Sequence, residues 1–283
     1  MSSIRSFRNR VWKYYKERGR HDLPWRQPSL KLRRGKKNFD PYRVMVSEIM
    51  LQQTQVVRVI EKYKEFLKAF PTVRALAKAR FSEVLKVWSG LGYNRRGKYL
   101  HDAAKVIVEK YKGKVPRELA SLRTLPGMGP YTASAVRVFA FNKPDTLIET
   151  NVRAAYIHHF YSSILQKTAI TDAQVIPIAT AAARGQDPRK WHWALMDYGV
   201  HIKKLHKNPA RKSAHYTKQS KFEGSLRQVR GTILRELHEG KQPRGVASRL
   251  ALALKGLERD GLIVRQKGSA QGGSASGRKW RIA

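Results

Sequence analysis

Cysteine is absent from all 283 residues. That excludes disulfides, thiolate zinc sites and thiolate-held iron–sulfur clusters. It is also compatible with the cytosol, and a cytoplasmic location is expected. Acidic residues are scarce. Twenty Asp and Glu stand against 58 Lys and Arg, a formal net charge of +38. Solubility does not require such an excess, which points to a polyanionic partner. Nucleic acid is the first candidate and an anionic membrane the second. Long apolar runs are missing as well. No stretch approaches the ~18 residues of a membrane span, and the N-terminus MSSIRSFRNR lacks the apolar core of a signal peptide. The histidines form no metal-ligand pattern, and the His158–His159 pair on an apolar helix is expected to be structural.

The positive charge is spread along the chain. Residues 1–43 carry a net +11 and residues 203–283 a net +15, so both ends can line one extended anionic ligand. Strand signals are nearly absent up to residue 205. Helical periods instead recur at 5–19, after Asp40-Pro41, and at 72–78, 81–89, 94–111, 116–123, 130–141, 151–160, 171–183 and 188–200. A break is expected near Gln52–Thr54. This predicts a mainly α domain over 1–205. Residues 206–224 lack periodicity and read as a basic linker or wrap. Over 225–283 the order is helix, helix, then two alternating strands around the flexible tip SAQGGSASG, which is the order of a small winged helix. Arg249, Lys255 and Arg259 on its second helix, with Arg265, Lys267, Arg278 and Lys279 on the wing, suit phosphate contact.

One turn breaks the helical pattern with particular chemistry. In LPGMGPYTASAVRVFAF (125–141) one helix ends, Gly127 and Gly129 free the backbone, and Pro130 starts the next helix. A helix N-terminus behind a glycine turn offers N–H groups and a favourable dipole to a phosphate.

These residues, with DLPWRQ (22–27), PYRVMVSEIMLQQTQV (41–56), WSGLGYNRRGKYLHDAA (88–104), IETNVRAAY (148–156) and WALMDYG (193–199), resemble the helix-hairpin-helix DNA glycosylases. The SEIMLQQT run is similar to the MutY-type adenine glycosylases in particular. The resemblance covers residues 5–205. It implies double-stranded DNA holding a mispair or lesion as partner, a monomer, no membrane role, and base flipping followed by base removal.

Glycosidic cleavage passes through an oxocarbenium-like state and uses a general acid together with a carboxylate near the sugar. The resemblance makes Glu48 the acid. A carboxyl buried in its apolar stretch would have a raised pKa. Glu149 takes the place of the cation-stabilising carboxylate, although the family has Asp there, and Asn151 matches a supporting Asn. Thr150 or Asn151 is expected to cap the helix that follows. Tyr131 stands where strand-cutting relatives carry a Schiff-base Lys, so hydrolysis without strand cutting is implied. Gln52, Gln53 and Thr54 match a loop that inserts into the duplex, and Tyr93 matches a wedge beside the opposite base. Leu125, Gly127, Gly129 and Arg153 fall on DNA-contacting positions. Trp25, Arg26, Leu51 and Trp193 fall around the base.

Three departures qualify the resemblance. The family's four cluster-ligating cysteines align with Lys203, Ala210, Ser213 and Gln219, so no cofactor is expected. The C-terminal unit differs from the family's β-rich lesion-checking domain. Trp193 replaces a Gln or Glu that touches adenine. Removal of another base, such as uracil or thymine from mispairs, and a non-catalytic DNA-binding role remain open at this point.

Overall fold

The computed structural model describes residues 3–28, 39–162, 169–244, 247–266 and 279–283. The wing residues Lys267 and Arg278 and the tip between them lie outside the described residues. The described helices, in chain order, are α1 (Ile4–Arg18), α2 (Pro41–Leu51), α3 (Val56–Ala69), α4 (Val73–Lys78), α5 (Phe81–Trp88), α6 (Arg95–Tyr111) and α7 (Leu119–Arg123). They continue with α8 (Pro130–Phe141), α9 (Thr150–Phe160), α10 (Asp172–Ala183), α11 (Pro188–Leu205), α12 (Leu226–His238) and α13 (Ala247–Arg259). Two short strands follow, β1 (Ile263–Arg265) and β2 (Trp280–Ile282). The protein is therefore mainly α with a small C-terminal β element. Among the described residues, no helix is long and apolar enough to cross a membrane.

Local chemistry explains many boundaries. Ser3, Thr72, Asp187 and Ser225 each accept a first-turn N–H with the side chain, satisfying a donor that the helix cannot. Asp40 does the same for Tyr42 N–H at 2.9 Å, ahead of Pro41. The break expected near Gln52–Thr54 is the junction of α2 and α3.

The chain divides into two compact units. The first comprises Met1–Met45, Arg117–Arg123 and Met128–Lys218. Its core is aromatic: the Phe7 ring meets Tyr156 at 5.0 Å, Phe160 at 5.3 Å and Trp191 at 6.2 Å. His159 is buried beside it and bonds the Tyr198 hydroxyl at 2.8 Å. Gly199 brings α11 against the N-terminus of α9, because a Cβ there would collide with the backbone carbonyl of Asn151.

The second unit comprises Val46–Pro116, Thr124–Gly127 and Gln219–Ala283. Phe66, Leu76, Trp88, Leu100 and Ile107 are fully buried in it. β1 and β2 pair antiparallel, with Ile263 opposite Ile282 and Arg265 opposite Trp280. Ile233, Leu234, Leu257, Leu262, Ile263 and Ile282 form one apolar cluster that also takes in Leu85 of α5. The C-terminal elements are thus packed onto α5 and share its core.

Candidate functional site

The glycine turn lies between α7 and α8. Gly127 takes φ +73°, and a Cβ there would press on Cβ of Tyr99 at 2.7 Å, so both backbone and space demand glycine. Gly129 differs from the expectation. Its φ of −62° is open to any residue, and it caps α8 with Pro130 in the first turn. A Cβ on Gly129 would meet nothing within 4 Å. Its lack of a side chain leaves the mouth of α8 open to an approaching group. Leu125 is buried and pins the turn. Tyr131 stands half-buried in the first turn of α8.

Glu149 is itself the cap of α9, where Thr150 or Asn151 was expected. Its backbone is extended, and its Oε1 accepts the N–H of Asn151 at 2.9 Å and of Val152 at 3.0 Å. The longer reach of Glu relative to Asp lets the carboxyl fold back onto its own helix. Its Oε2 accepts Nδ2 of Asn151 at 3.1 Å, and Oδ1 of Asn151 accepts Nζ of Lys203 at 3.1 Å. Burial pushes the Glu149 carboxyl above the ordinary carboxylate range. The two N–H groups, the Lys203 ammonium and the Asn151 amide pull the other way without offsetting it.

Arg153 is half-buried one turn further along α9. It clamps Asp172 through Nε at 2.6 Å and Nη2 at 2.7 Å. That pairing holds its guanidinium firmly charged, and Glu149 and Tyr131 add to the effect. Glu149, Asn151, Arg153, Tyr131 and Lys203 therefore share one electrostatic neighbourhood in the first unit. Arg153, expected on DNA, is committed to Asp172.

Glu48 belongs to the second unit. It sits on α2 between buried Ser47 and Ile49, half-buried rather than enclosed. The loop of Gln52, Gln53 and Thr54 follows it, with exposed Gln53 at φ +54°. Arg96, buried on α6, fastens that loop to the one holding Leu91 and Gly92. Its Nη1 donates to the carbonyls of Ile49 (2.9 Å), Met50 (3.0 Å) and Gln52. Its Nη2 donates to Thr54 Oγ1 (2.9 Å), Gly92 O (3.1 Å) and Leu91 O (3.2 Å). Thr54 Oγ1 donates in turn to Leu91 O at 3.2 Å. Sequence reasoning missed Arg96. The basic run Asn94–Lys98 around it does not single it out in the sequence.

The residues expected around a base fall out differently. Arg26 is buried and pairs with buried Asp197 at 2.7 and 3.0 Å, joined by Arg20 at 2.7 Å. This links the DLPWRQ and WALMDYG motifs. Trp193 is buried, with its ring stacked on Phe139 at 6.1 Å, edge-on to Phe39 at 5.5 Å, and under the Arg26 guanidinium at 5.4 Å. Trp25 is buried in the first unit, and Leu51 is half-buried at the end of α2 in the second. On α13, Arg249 and Lys255 are exposed, and Arg249 donates to Gly224 O at 3.2 Å.

The four positions aligned with cluster ligands do not fit an iron–sulfur cluster. Lys203 donates to Asn151, and Ala210 has no donor atom. Ser213 Oγ accepts His215 N–H at 3.1 Å, and Gln219 donates to Tyr93. A parallel bridge ties this segment down instead, with Ile170 N–H on Lys212 O and Ala214 N–H on Ile170 O, both at 2.8 Å. Among the described residues, no group of His, Cys, Asp and Glu could hold a metal ion.

Comparison with known proteins gives a consistent result. A family model described as "HhH-GPD superfamily base excision DNA repair protein" matches residues 46–201. An adenine DNA glycosylase of Mycolicibacterium smegmatis is 43% identical over 137 residues, covering 48% of this chain and 44% of that protein. The adenine DNA glycosylase of Homo sapiens is 39% identical over 207 residues, covering 71% of this chain and 37% of that protein. The chain thus spans less than half the length of these curated relatives. A solved structure of a thermostable thymine-DNA glycosylase is similar at TM-score 0.59 and 26% identity, over 75% of this chain and 92% of that one.

Proposed function

The chain belongs to the HhH-GPD superfamily of base excision DNA repair proteins, and on that premise we propose that it is a monofunctional DNA glycosylase. It flips a mispaired or damaged base, adenine first, from a duplex and hydrolyses the glycosidic bond. The observation that carries this reading is Glu149, a half-buried carboxylate held by two backbone N–H groups and the Asn151 amide, with the Lys203 ammonium bonded to that amide's oxygen. A fixed charge in a desolvated setting is worth most where positive charge develops on the sugar.

On this reading Glu48 protonates the departing base. Glu149 stabilises the oxocarbenium ion and orients the attacking water. The turn at Gly127–Pro130 grips a backbone phosphate, and the loops of Gln53 and Tyr93 enter the duplex. Tyr131 has no amine to form a Schiff base, so the strand is left intact. The protein works as a monomer, without an iron–sulfur cluster, on DNA in the cytoplasm. The C-terminal elements act as a winged-helix-like module whose exposed Arg249 and Lys255 meet phosphates.

The test is a panel of mispaired and lesion duplexes, including adenine opposite guanine and opposite 8-oxoguanine, scored with and without alkali. The expected result is scission only after alkali, abolished by Glu48→Gln. Scission before alkali, or no abasic product from any duplex, overturns the proposal. A second reading, removal of thymine or uracil opposite guanine, is favoured by Trp193, whose ring is packed among Phe39, Phe139 and Arg26. The likeness to the thymine-DNA glycosylase structure supports it as well. Release from guanine–thymine duplexes but not from adenine mispairs selects it.

A further inference from the structure

Tyr93 is held in an unusual way. Its φ of +46° lies in the left-handed region, which costs a non-glycine residue about 1 kcal/mol or more. Such a conformation persists only where the surroundings enforce it. Two guanidinium groups lie close to its ring, Arg96 at 5.4 Å and Arg227 at 5.1 Å from the centroid. Its hydroxyl accepts Nε2 of Gln219 at 2.6 Å and Nη1 of Arg227. A phenol oxygen has two acceptor lone pairs and one O–H. With both lone pairs taken by donors, the O–H is left to donate to an acceptor on a partner.

Gln219 and Arg227 come from the C-terminal part of the second unit, more than 120 residues along the chain. That part is anchored on both sides of the Tyr93 loop. Leu85 of α5, before the loop, lies in the apolar cluster of α12 and α13. Arg95, immediately after it, binds Asp260 at 3.1 Å, and Arg230 of α12 binds the same carboxylate. Arg227 is itself placed by Ser220 O at 3.2 Å and by the Phe222 ring at 5.5 Å.

We propose that Gln219 and Arg227 are positioning residues for Tyr93, so that the C-terminal elements set the duplex-opening loop rather than only tether DNA. This rests on the glycosylase reading for the meaning of opening, but it is read by a separate signal. A 2-aminopurine placed at the target position reports base unstacking by fluorescence, whether or not a base is released. Gln219 is exposed, so Gln219→Ala leaves the fold intact, and Arg227→Lys keeps the charge while losing the planar fork.

Gln219→Ala is expected to lower the opening equilibrium about fivefold, the worth of one hydrogen bond, and Tyr93→Phe by more, because it removes both. The double variant should fall no further than Tyr93→Phe alone. Affinity for a fully paired duplex should stay unchanged in Gln219→Ala, which separates positioning from general DNA binding. Arg227→Lys should behave like Gln219→Ala. Multiplied effects in the double variant, or normal opening in Gln219→Ala, overturn the proposal. Coupled opening without base release leaves it standing and overturns the glycosylase reading. Base release with uncoupled variants does the reverse. A wild-type protein that binds duplexes without opening them overturns both.

Discussion

Replacing Arg96 with methionine tests the idea that one buried cation holds two functional loops in place. Methionine keeps most of the side-chain volume and removes every donor. The carbonyls of Ile49, Met50, Gln52, Leu91 and Gly92 and the Thr54 hydroxyl then lose a partner. Two of these, Ile49 and Met50, are carbonyls of the last turn of α2 with no intrahelical donor. At about 1 kcal/mol each, the six lost hydrogen bonds cost about 6 kcal/mol. The cation carried its own penalty, because burial pulls its pKa down to about 10, and relief of that returns about 3 kcal/mol at neutral pH. The net loss is about 3 kcal/mol, or a melting temperature about 6–12 °C lower. Hydrogen exchange should rise first at residues 52–54 and 89–94, and base release should fall by more than tenfold. Arg96→Lys should recover only part, since an ammonium cannot span the same fork of acceptors. A methionine variant within 1 kcal/mol of wild type by urea unfolding, with loop exchange unchanged, refutes the argument.

Other consequences concern the first unit. Glu149→Gln should abolish base release yet leave the protein at least as stable at pH 7.5. The folded-state pKa is raised, so the ionised carboxylate costs stability as pH climbs above the ordinary Glu range, and urea unfolding at pH 4 and 7.5 checks it. Base release by the wild type should also fail on the acid side at a pH above the usual carboxylate range. Gly199→Ala should displace the N-terminus of α9, cost about 1–3 kcal/mol by overpacking, and slow base release about 100-fold through misplaced Glu149 and Asn151. His159, whose pKa burial lowers to about 4, should make the fold acid-labile. Its contribution is complete above about pH 6.5 and is lost as pH falls towards 4, about 3 kcal/mol in all, and His159→Asn should flatten that slope in urea titrations.

Much of the helical frame was legible in the sequence, because periodicity, capping residues and Pro130 are local signals. The α2–α3 break, α8 and the C-terminal strand pair fall where the pattern puts them. The networks around the site were not legible, for a physical reason in each case. Arg96 earns its place through backbone carbonyls, which carry no residue identity. Gly199 matters through a collision with Asn151, nearly fifty residues away. Lys203 was visible only as the place of a lost ligand, whereas its ammonium supports Asn151. Arg26 was assigned to a base pocket, and its burial against Asp197 depends on a partner in a motif near the far end of the domain.

Glu149 shows why a carried-over role still needs the geometry. A shorter Asp at a helix entry caps by reaching the N–H groups from close range. Glu has an extra methylene, which would push the carboxyl outward if the side chain were extended. Instead it folds back, and Oε1 takes both Asn151 and Val152 N–H groups. The added length is absorbed in the return path, so the charge stays at the mouth of α9. Oε2 accepts the Asn151 amide, which leaves that oxygen a further lone pair for a water. The substitution therefore preserves the electrostatic function while making it depend on Asn151 and Lys203. Loss of either should shift the acid limb of base release to higher pH, because both hold the Glu149 pKa down. An acid limb unmoved in Lys203→Met would place the charge that matters elsewhere.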